Sequence, residues 1–286
     1  MKIRNLEKRF GKIHALSDVN IDFETGHIYG LLGRNGAGKT TLLNIISDRI
    51  LPDSGTVKID GQSIHNNDKA LSDIFLATEG NLFGSDSVKS VIEYAGVFDD
   101  HFDKDYADFL CERFDLNQKT KVQKLSTGYF TILKSILAIA SGASYIFLDE
   151  PTLGLDANHR DLTYRTILER FAARDGKCAF ILSSHLIDEI SSLIDKTVIV
   201  DDGKVIVKDD TEHLLASIKV VEGPEMFVRS SLKNISAVAE ETILGVTKAY
   251  IKSEDTKNLK GTENIKIDSA DLQKLFVIMT EGEVQK

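Results

Sequence analysis

The chain has no tryptophan, only two cysteines and, across its 286 residues, no apolar run near the ~18 residues that crossing a bilayer requires. Each shortage narrows what the protein can be. Without such a run, a membrane-spanning segment is not expected. The N-terminal stretch "MKIRNLEKRFGK" is basic but lacks the apolar core and small-residue cleavage site of a secretory signal, so the expected location is the cytoplasm. Cys111 and Cys178 lie in separate apolar segments with no metal-ligand spacing, and two buried thiols without chemistry are expected. Positive charge is also short: a formal net charge of -9 repels nucleic acid and anionic lipid alike, which favours a protein partner over DNA or RNA. No internal repeat or low-complexity segment is present.

What is there reads in blocks. In the first sixty residues Val19, Ile21 and Phe23 alternate with polar neighbours, and "TVKIDG" repeats the alternation before an Asp-Gly turn, which predicts a half-exposed antiparallel layer. The run "IYGLLG" then ends in glycines and opens onto "KTTLLNIIS", a strand, loop and helix in succession. From Ser87 to about Ala140 the apolar spacing is helical, with the acidic "DDHFDKD" expected as a solvated loop and not a metal site. Two continuous apolar runs, "YIFLDE" and "CAFILSSH", flank a helical stretch around Leu162–Phe171 and predict a parallel sheet covered on both faces. "TVIVDDGKVIVKDD" reads as a hairpin turning at Asp202-Gly203. After Ile218 the pattern breaks at "VEGPEM", and "KAYIKS", "NIKID" and a final helix "DLQKLFVIM" predict a small separate domain.

Three motifs carry chemistry. "GRNGAGKT", Gly33 to Thr40, fits the phosphate-loop pattern: its glycines let backbone N–H groups turn inward to phosphate oxygens, Lys39 reaches the β and γ oxygens, and Thr40 offers a hydroxyl to Mg²⁺. "YIFLDE" brings Asp149 to the carboxyl end of a buried strand, where it can hold Mg²⁺ through water, with Glu150 beside it to polarise an attacking water. His185 ends the next apolar strand at the same sheet edge, a place for contact with a γ-phosphate. A fourth stretch, "KLSTGYF", looks like an ordinary helix start, with Ser126 capping a run that contains Ile132, Leu133, Ile136, Leu137 and Ile139.

"GRNGAGKTT", "LSTGYF", "YIFLDEPTLGLDA" and "SSH", in that order, resemble the nucleotide-binding subunit of ABC transporters over about residues 1–217. The resemblance implies an α/β P-loop NTPase of the ABC ATPase type. Its antiparallel β subdomain, RecA-like parallel-sheet core and helical signature subdomain (about 84–140) would fill residues 1–218, with a small α+β accessory domain at 219–286. It also implies an ATP hydrolase using ATP and Mg²⁺, working as a head-to-tail dimer with an identical or different second ATPase subunit. Each ATP would be clamped between one copy's phosphate loop (Asn35, Gly36, Ala37, Gly38, Lys39, Thr40, Thr41) and the other's signature helix.

On that view the plain cap is half of a site: a helix N-terminus carries roughly half a positive charge and free N–H donors, so Ser126 and the backbone at Gly128 can grip a γ-phosphate presented by a second molecule. By the same resemblance Phe10 stacks on adenine and Asp156 couples the two sites. The chain would drive a separate integral membrane permease, which places it indirectly on the cytoplasmic face of a bacterial membrane.

Two places depart from the family pattern. Thr127 and Tyr129 stand where the usual Leu-Ser-Gly-Gly-Gln signature has its first glycine and its glutamine. The loop that normally carries a Mg²⁺-binding glutamine reads "FLATEGNLF", with Thr78 or Glu79 nearest that place, so Glu79 is the candidate metal or water ligand there. These variations, the "FDDHFDKD" insertion in the helical region and the short C-terminal extension together resemble the peptide-export and antimicrobial-peptide-resistance branch of bacterial ABC ATPases. The alternatives are a degenerate regulatory ABC subunit and a non-transport ABC ATPase.

Overall fold

The computed structural model describes residues 1–78, 80, 83–259 and 262–281, which form two compact units. The first comprises Met1–His185 and Val198–Lys208; the second takes in Leu186–Thr197 and Asp209 onward.

In the first unit β1 (Lys2–Phe10) and β2 (Ile13–Asp22) form an antiparallel hairpin. Then β3 (Ile28–Leu32) runs through the glycine loop into α1 (Lys39–Ile46). β4 (Ser54–Ile59) and β5 (Gln62–Ser63) complete a four-stranded sheet of order β2-β1-β4-β5. Its alternating pattern buries Ile3, Leu6, Val19 and Ile21 on one face and leaves the other polar, the antiparallel layer that the alternation predicts.

A short helix α2 (Asp68–Leu71) leads to β6 (Ile74–Ala77). The helical region follows as α3 (Val88–Phe98), α4 (Lys104–Arg113) and α5 (Thr127–Ala140). In the acidic stretch between α3 and α4, Asp103 caps α4 by accepting from Tyr106 N at 3.1 Å, and Asp99 accepts from His101 N at 2.9 Å and Gly142 N at 3.0 Å. Two of its acids are therefore turn and cap residues rather than merely solvated ones.

β7 (Tyr145–Asp149), α6 (Ala157–Ala173) and β8 (Ala179–Ser183) alternate next, and β9 (Lys196–Asp201) and β10 (Lys204–Asp210) form the closing hairpin of a six-stranded sheet of order β10-β9-β3-β8-β7-β6. Strands β3, β8, β7 and β6 are mutually parallel. β3 and β8 are buried along their whole length, as a sheet covered on both faces requires. Asp202 and Gly203 both take positive φ, 43° and 73°, the geometry of a two-residue hairpin turn. One core joins the two sheets and α1: Phe23 meets Tyr29 and Phe147 edge-on at 5.0 and 5.7 Å, among Leu31, Leu42 and Val200.

The second unit contains α7 (Ile187–Ile190), α8 (Thr211–Ser217), β11 (Ile218–Pro224), α9 (Glu225–Ser231), β12 (Ala239–Ile243), β13 (Val246–Lys252), β14 (Lys266–Ser269) and α10 (Leu272–Glu281). Its antiparallel sheet has the order β12-β13-β11-β14, and Val221, Val228, Leu232, Ala249 and Ile251 make a small core. Leu272, Leu275 and Ile278 form the buried stripe of the final helix.

Candidate active site

The buried strand β3 carries the chain to Gly33, where a Cβ would lie 2.5 Å from the carbonyl oxygen of Val200; only glycine lets the loop turn there. Gly38 has φ +107°, and a Cβ on it would lie 2.5 Å from the Ala15 carbonyl oxygen. It is also the N-cap of α1, and as glycine it supplies no side-chain acceptor to the first N–H groups of that helix. A loop of this shape, ending on an uncapped helix N-terminus, suits an anion.

Asn35, Gly36, Ala37, Gly38, Lys39, Thr40 and Thr41 all line one cavity of about 540 Å³, within the usual range for small-ligand sites. The Lys39 ammonium folds back onto the carbonyl oxygens of Gly33 and Arg34. Burial lowers its pKa, and the fields of Glu150 and Asp149 oppose that shift, so two carboxylates sit within electrostatic reach of the loop's cation.

Those carboxylates arrive on β7. The parallel pairing of β7 with β8 sets Asp149 opposite Ser183 and aligns the carboxyl ends of both strands at one sheet edge. Asp149 and Glu150 line the same cavity as Thr40. Glu150 adopts φ 51°, a conformation that costs a non-glycine residue roughly 1–2 kcal/mol. It is held there on several sides. Its N–H donates to Ser183 O at 2.8 Å, its Oε1 accepts from the His185 N–H at 3.1 Å, and its Oε2 lies 2.9 Å from His185 Nδ1. The two residues that the motifs single out separately are thus a pair, with the carboxylate largely buried and the imidazole exposed.

The donor set fits a magnesium triphosphate. The Thr40 hydroxyl and the Asp149 carboxylate offer hard oxygen ligands in the same cavity as the glycine loop and Lys39. Among the described residues no group of three or more His, Cys, Asp or Glu side chains is placed to hold a metal, so a cation here depends on Thr40, Asp149, water and the phosphates themselves. Glu79, the other expected ligand, lies outside the described residues. Thr78 lines the cavity and its hydroxyl accepts from Arg49 Nη1 at 3.1 Å.

Other predicted residues stand apart from the cavity. Phe10 ends β1 half exposed, with Lys8 Nζ 5.6 Å from its ring centre, and it pairs across the hairpin with Ile13. The wall at this end is made instead by Ile13, His14 and Ala15, which the motifs did not reveal. Ile13 is 69% exposed beside the turn, and no local sequence pattern marks it as cavity wall. Ser126 caps α5, accepting from Tyr129 N at 3.3 Å, and Asp156 caps α6, accepting from His159 N at 2.9 Å. Neither of these residues nor Gly128 lines the cavity.

Comparison with known proteins shows the family and the fold. The ABC transporter family profile matches residues 16–153. The ABC transporter ATP-binding protein YtrB of Bacillus subtilis is 31% identical over 215 residues, covering 75% of this chain and 73% of the relative. The bacitracin transport ATP-binding protein BcrA of Bacillus licheniformis is 30% identical over 219 residues, covering 75% and 71% respectively. A solved ATP-binding subunit of an ABC transporter superposes with a TM-score of 0.68 at 21% identity, covering 74% of this chain and 90% of its own.

Proposed function

The chain belongs to the ABC transporter ATP-binding family, whose members hydrolyse ATP, and on that premise we propose that it dimerises on ATP and drives a separate membrane permease. The observation that carries this reading is an incomplete site. One cavity holds the phosphate loop, Asp149 and Glu150, while the capped helix at Ser126 and Gly128 lies elsewhere on the same chain. Two copies arranged head to tail supply each cavity with the missing helix N-terminus.

Within the cavity, backbone N–H groups from Gly36 to Thr40 bind the phosphates and Lys39 swings from its carbonyl partners to the β and γ oxygens. Thr40 and Asp149 would hold Mg²⁺, which would supply charge neutralisation at the phosphates. Glu150 orients and polarises the attacking water, and His185, fixed by Glu150, faces the γ-phosphate. Ser126 and Gly128 of the second copy complete the shell around the γ-phosphate, Asp156 links the two sites, and Phe10, paired across the hairpin with Ile13, stacks on adenine.

Two charge-assisted bonds at each of two sites, at ~1.5–3 kcal/mol apiece, give roughly 6–12 kcal/mol against an association cost of ~4–15. Closure is therefore reversible, and removing the γ-phosphate opens it. Glu150→Gln is expected to bind ATP, stall hydrolysis and accumulate dimer; a monomer by light scattering at saturating ATP overturns the reading.

The relative BcrA is named for bacitracin transport, and the likeness to it supports a peptide or antimicrobial compound as the transported substrate, which we take to be exported. Residues 219–286 act as an accessory domain on the cytoplasmic side. A second reading, a regulatory subunit that binds ATP without turnover, draws on the altered signature and on a loop without the usual glutamine, where Thr78 or Glu79 stands nearest its place. Steady-state hydrolysis by the purified chain, with Lys39→Ala as blank, separates the two: turnover above the blank excludes the regulatory reading.

A further inference from the structure

The two unusual signature residues, Thr127 and Tyr129, face the same short segment of the chain, Gly154–His159. A Cβ built on Gly154, which has φ +76°, would lie 3.2 Å from Thr127 Cγ2, and one built on Gly128 would lie 2.6 Å from the Gly154 carbonyl oxygen. The first turn of α5 and the loop after β7 are in backbone contact. Thr127 fills the space that the glycine at 154 leaves.

Two residues further along the helix, the Tyr129 ring meets the His159 ring edge-on at 6.0 Å. The same imidazole stacks on the buried Phe114, 6.5 Å away and inclined by only 16°. Its Nδ1 lies 3.0 Å from Asp156 Oδ2, while the His159 N–H occupies Oδ1 at 2.9 Å and Thr163 Oγ1 donates to the His159 carbonyl at 2.8 Å. An ionised carboxylate only accepts, so Nδ1 carries the proton in this contact. The histidine is held by two ring contacts, and both oxygens of Asp156 are bound before any second molecule arrives.

We propose that His159 and Tyr129 are positioning residues that lock Asp156 to the start of the signature helix, so that each chain presents a pre-set face to the partner's nucleotide. This rests on the ATP-clamp reading and deepens it: the departures from the usual signature are one half of a matched pair whose other half is Gly154 and His159. A face ordered in the monomer loses less freedom on closure, and the gain appears in association rather than in the chemical step. Direct contact with ATP or the reacting atoms is not part of the role.

The test compares His159→Ala and His159→Asn, since the Asn amide keeps a donor near the place of Nδ1. In the Glu150→Gln chain, His159→Ala is expected to weaken ATP-driven dimerisation about tenfold, one lost hydrogen bond in each of two copies, and His159→Asn to restore most of it. In the otherwise unmodified chain, half-saturating ATP for hydrolysis rises by a similar factor, while kcat at saturation stays within about twofold. Amide exchange in the monomer supplies an independent readout. His159→Ala should speed exchange at residues 126–130 as well as at 156–159; a change confined to 156–159 overturns the lock. Failure of the Glu150→Gln chain itself to dimerise rejects the clamp, and dimerisation equal in all three chains rejects the positioning role.

Discussion

Two helix starts in this molecule solve the same problem in opposite ways. At the head of α1 the cap is Gly38, which offers no side-chain acceptor and sits in a glycine loop that curls into a cavity. At the head of α5 the cap is Ser126, whose hydroxyl accepts from its own helix, and the surface around it is open. Both ends bear the positive pole of a helix. Only the first lies within a cavity made by its own chain. The difference teaches that an anion site is made by enclosure, and that a helix pole without enclosure needs a second surface to become one.

The comparison breaks most severely if the enclosed end loses its charge chemistry. Lys39→Ala should abolish detectable hydrolysis, and Glu150→Gln should lower kcat by about 10²–10⁴-fold while nucleotide binding, followed with a fluorescent analogue, persists. Next comes the shape of the enclosure. Gly38→Ala places a Cβ 2.5 Å from a carbonyl oxygen at φ +107°, and we expect about 2–3 kcal/mol of lost stability in urea titrations together with loss of nucleotide binding. Changes at the open end should be milder. Ser126→Ala removes a cap worth about 1 kcal/mol, raising half-saturating ATP in turnover without altering nucleotide affinity measured on dilute monomer.

The smallest expected effect lies behind the open end, in the helical region itself. Burial pushes the Cys111 thiol up to about 12, so thiolate is scarce at pH 8 and alkylation by iodoacetamide should proceed only after unfolding, with or without ATP. Labelling of the native chain would show that this region opens on its own.

How much of this was legible beforehand follows from distance along the chain. The phosphate loop, Asp149 and Glu150 were readable because their chemistry is written in consecutive residues between a buried strand and a helix. Helix α6 begins earlier than the apolar spacing around Leu162–Phe171 suggests, since Asp156 caps a first turn that is mostly exposed. Ile13, His14 and Ala15 were not readable as cavity wall: a hairpin brings them over the phosphate loop, and no local pattern encodes that placement. The pairing of Glu150 with His185 depends on strand order in the sheet, which composition does not reveal.

In the second unit "VEGPEM" looked like a break, yet it holds the end of β11 and the start of α9. Gly223 lets the strand pass a chain segment whose Asn264 oxygen would lie 2.8 Å from a Cβ, and Pro224 ends the strand where the helix starts. Glycine and proline there mark close passage and a change of element within one small core.

The turn at Asp202-Gly203 has a bearing on how this protein can drift over generations. Gly203 donates its N–H to the Ala37 carbonyl at 3.0 Å, inside the phosphate loop, and its own carbonyl accepts from Ser17 N at 2.8 Å. Both stitches run from main chain to main chain. Proline at 203 would delete the first outright, and any other side chain there would meet the Ala15 carbonyl oxygen 2.9 Å from its Cβ at φ +73°, so the seam that holds the loop in register tolerates little but glycine at this one position.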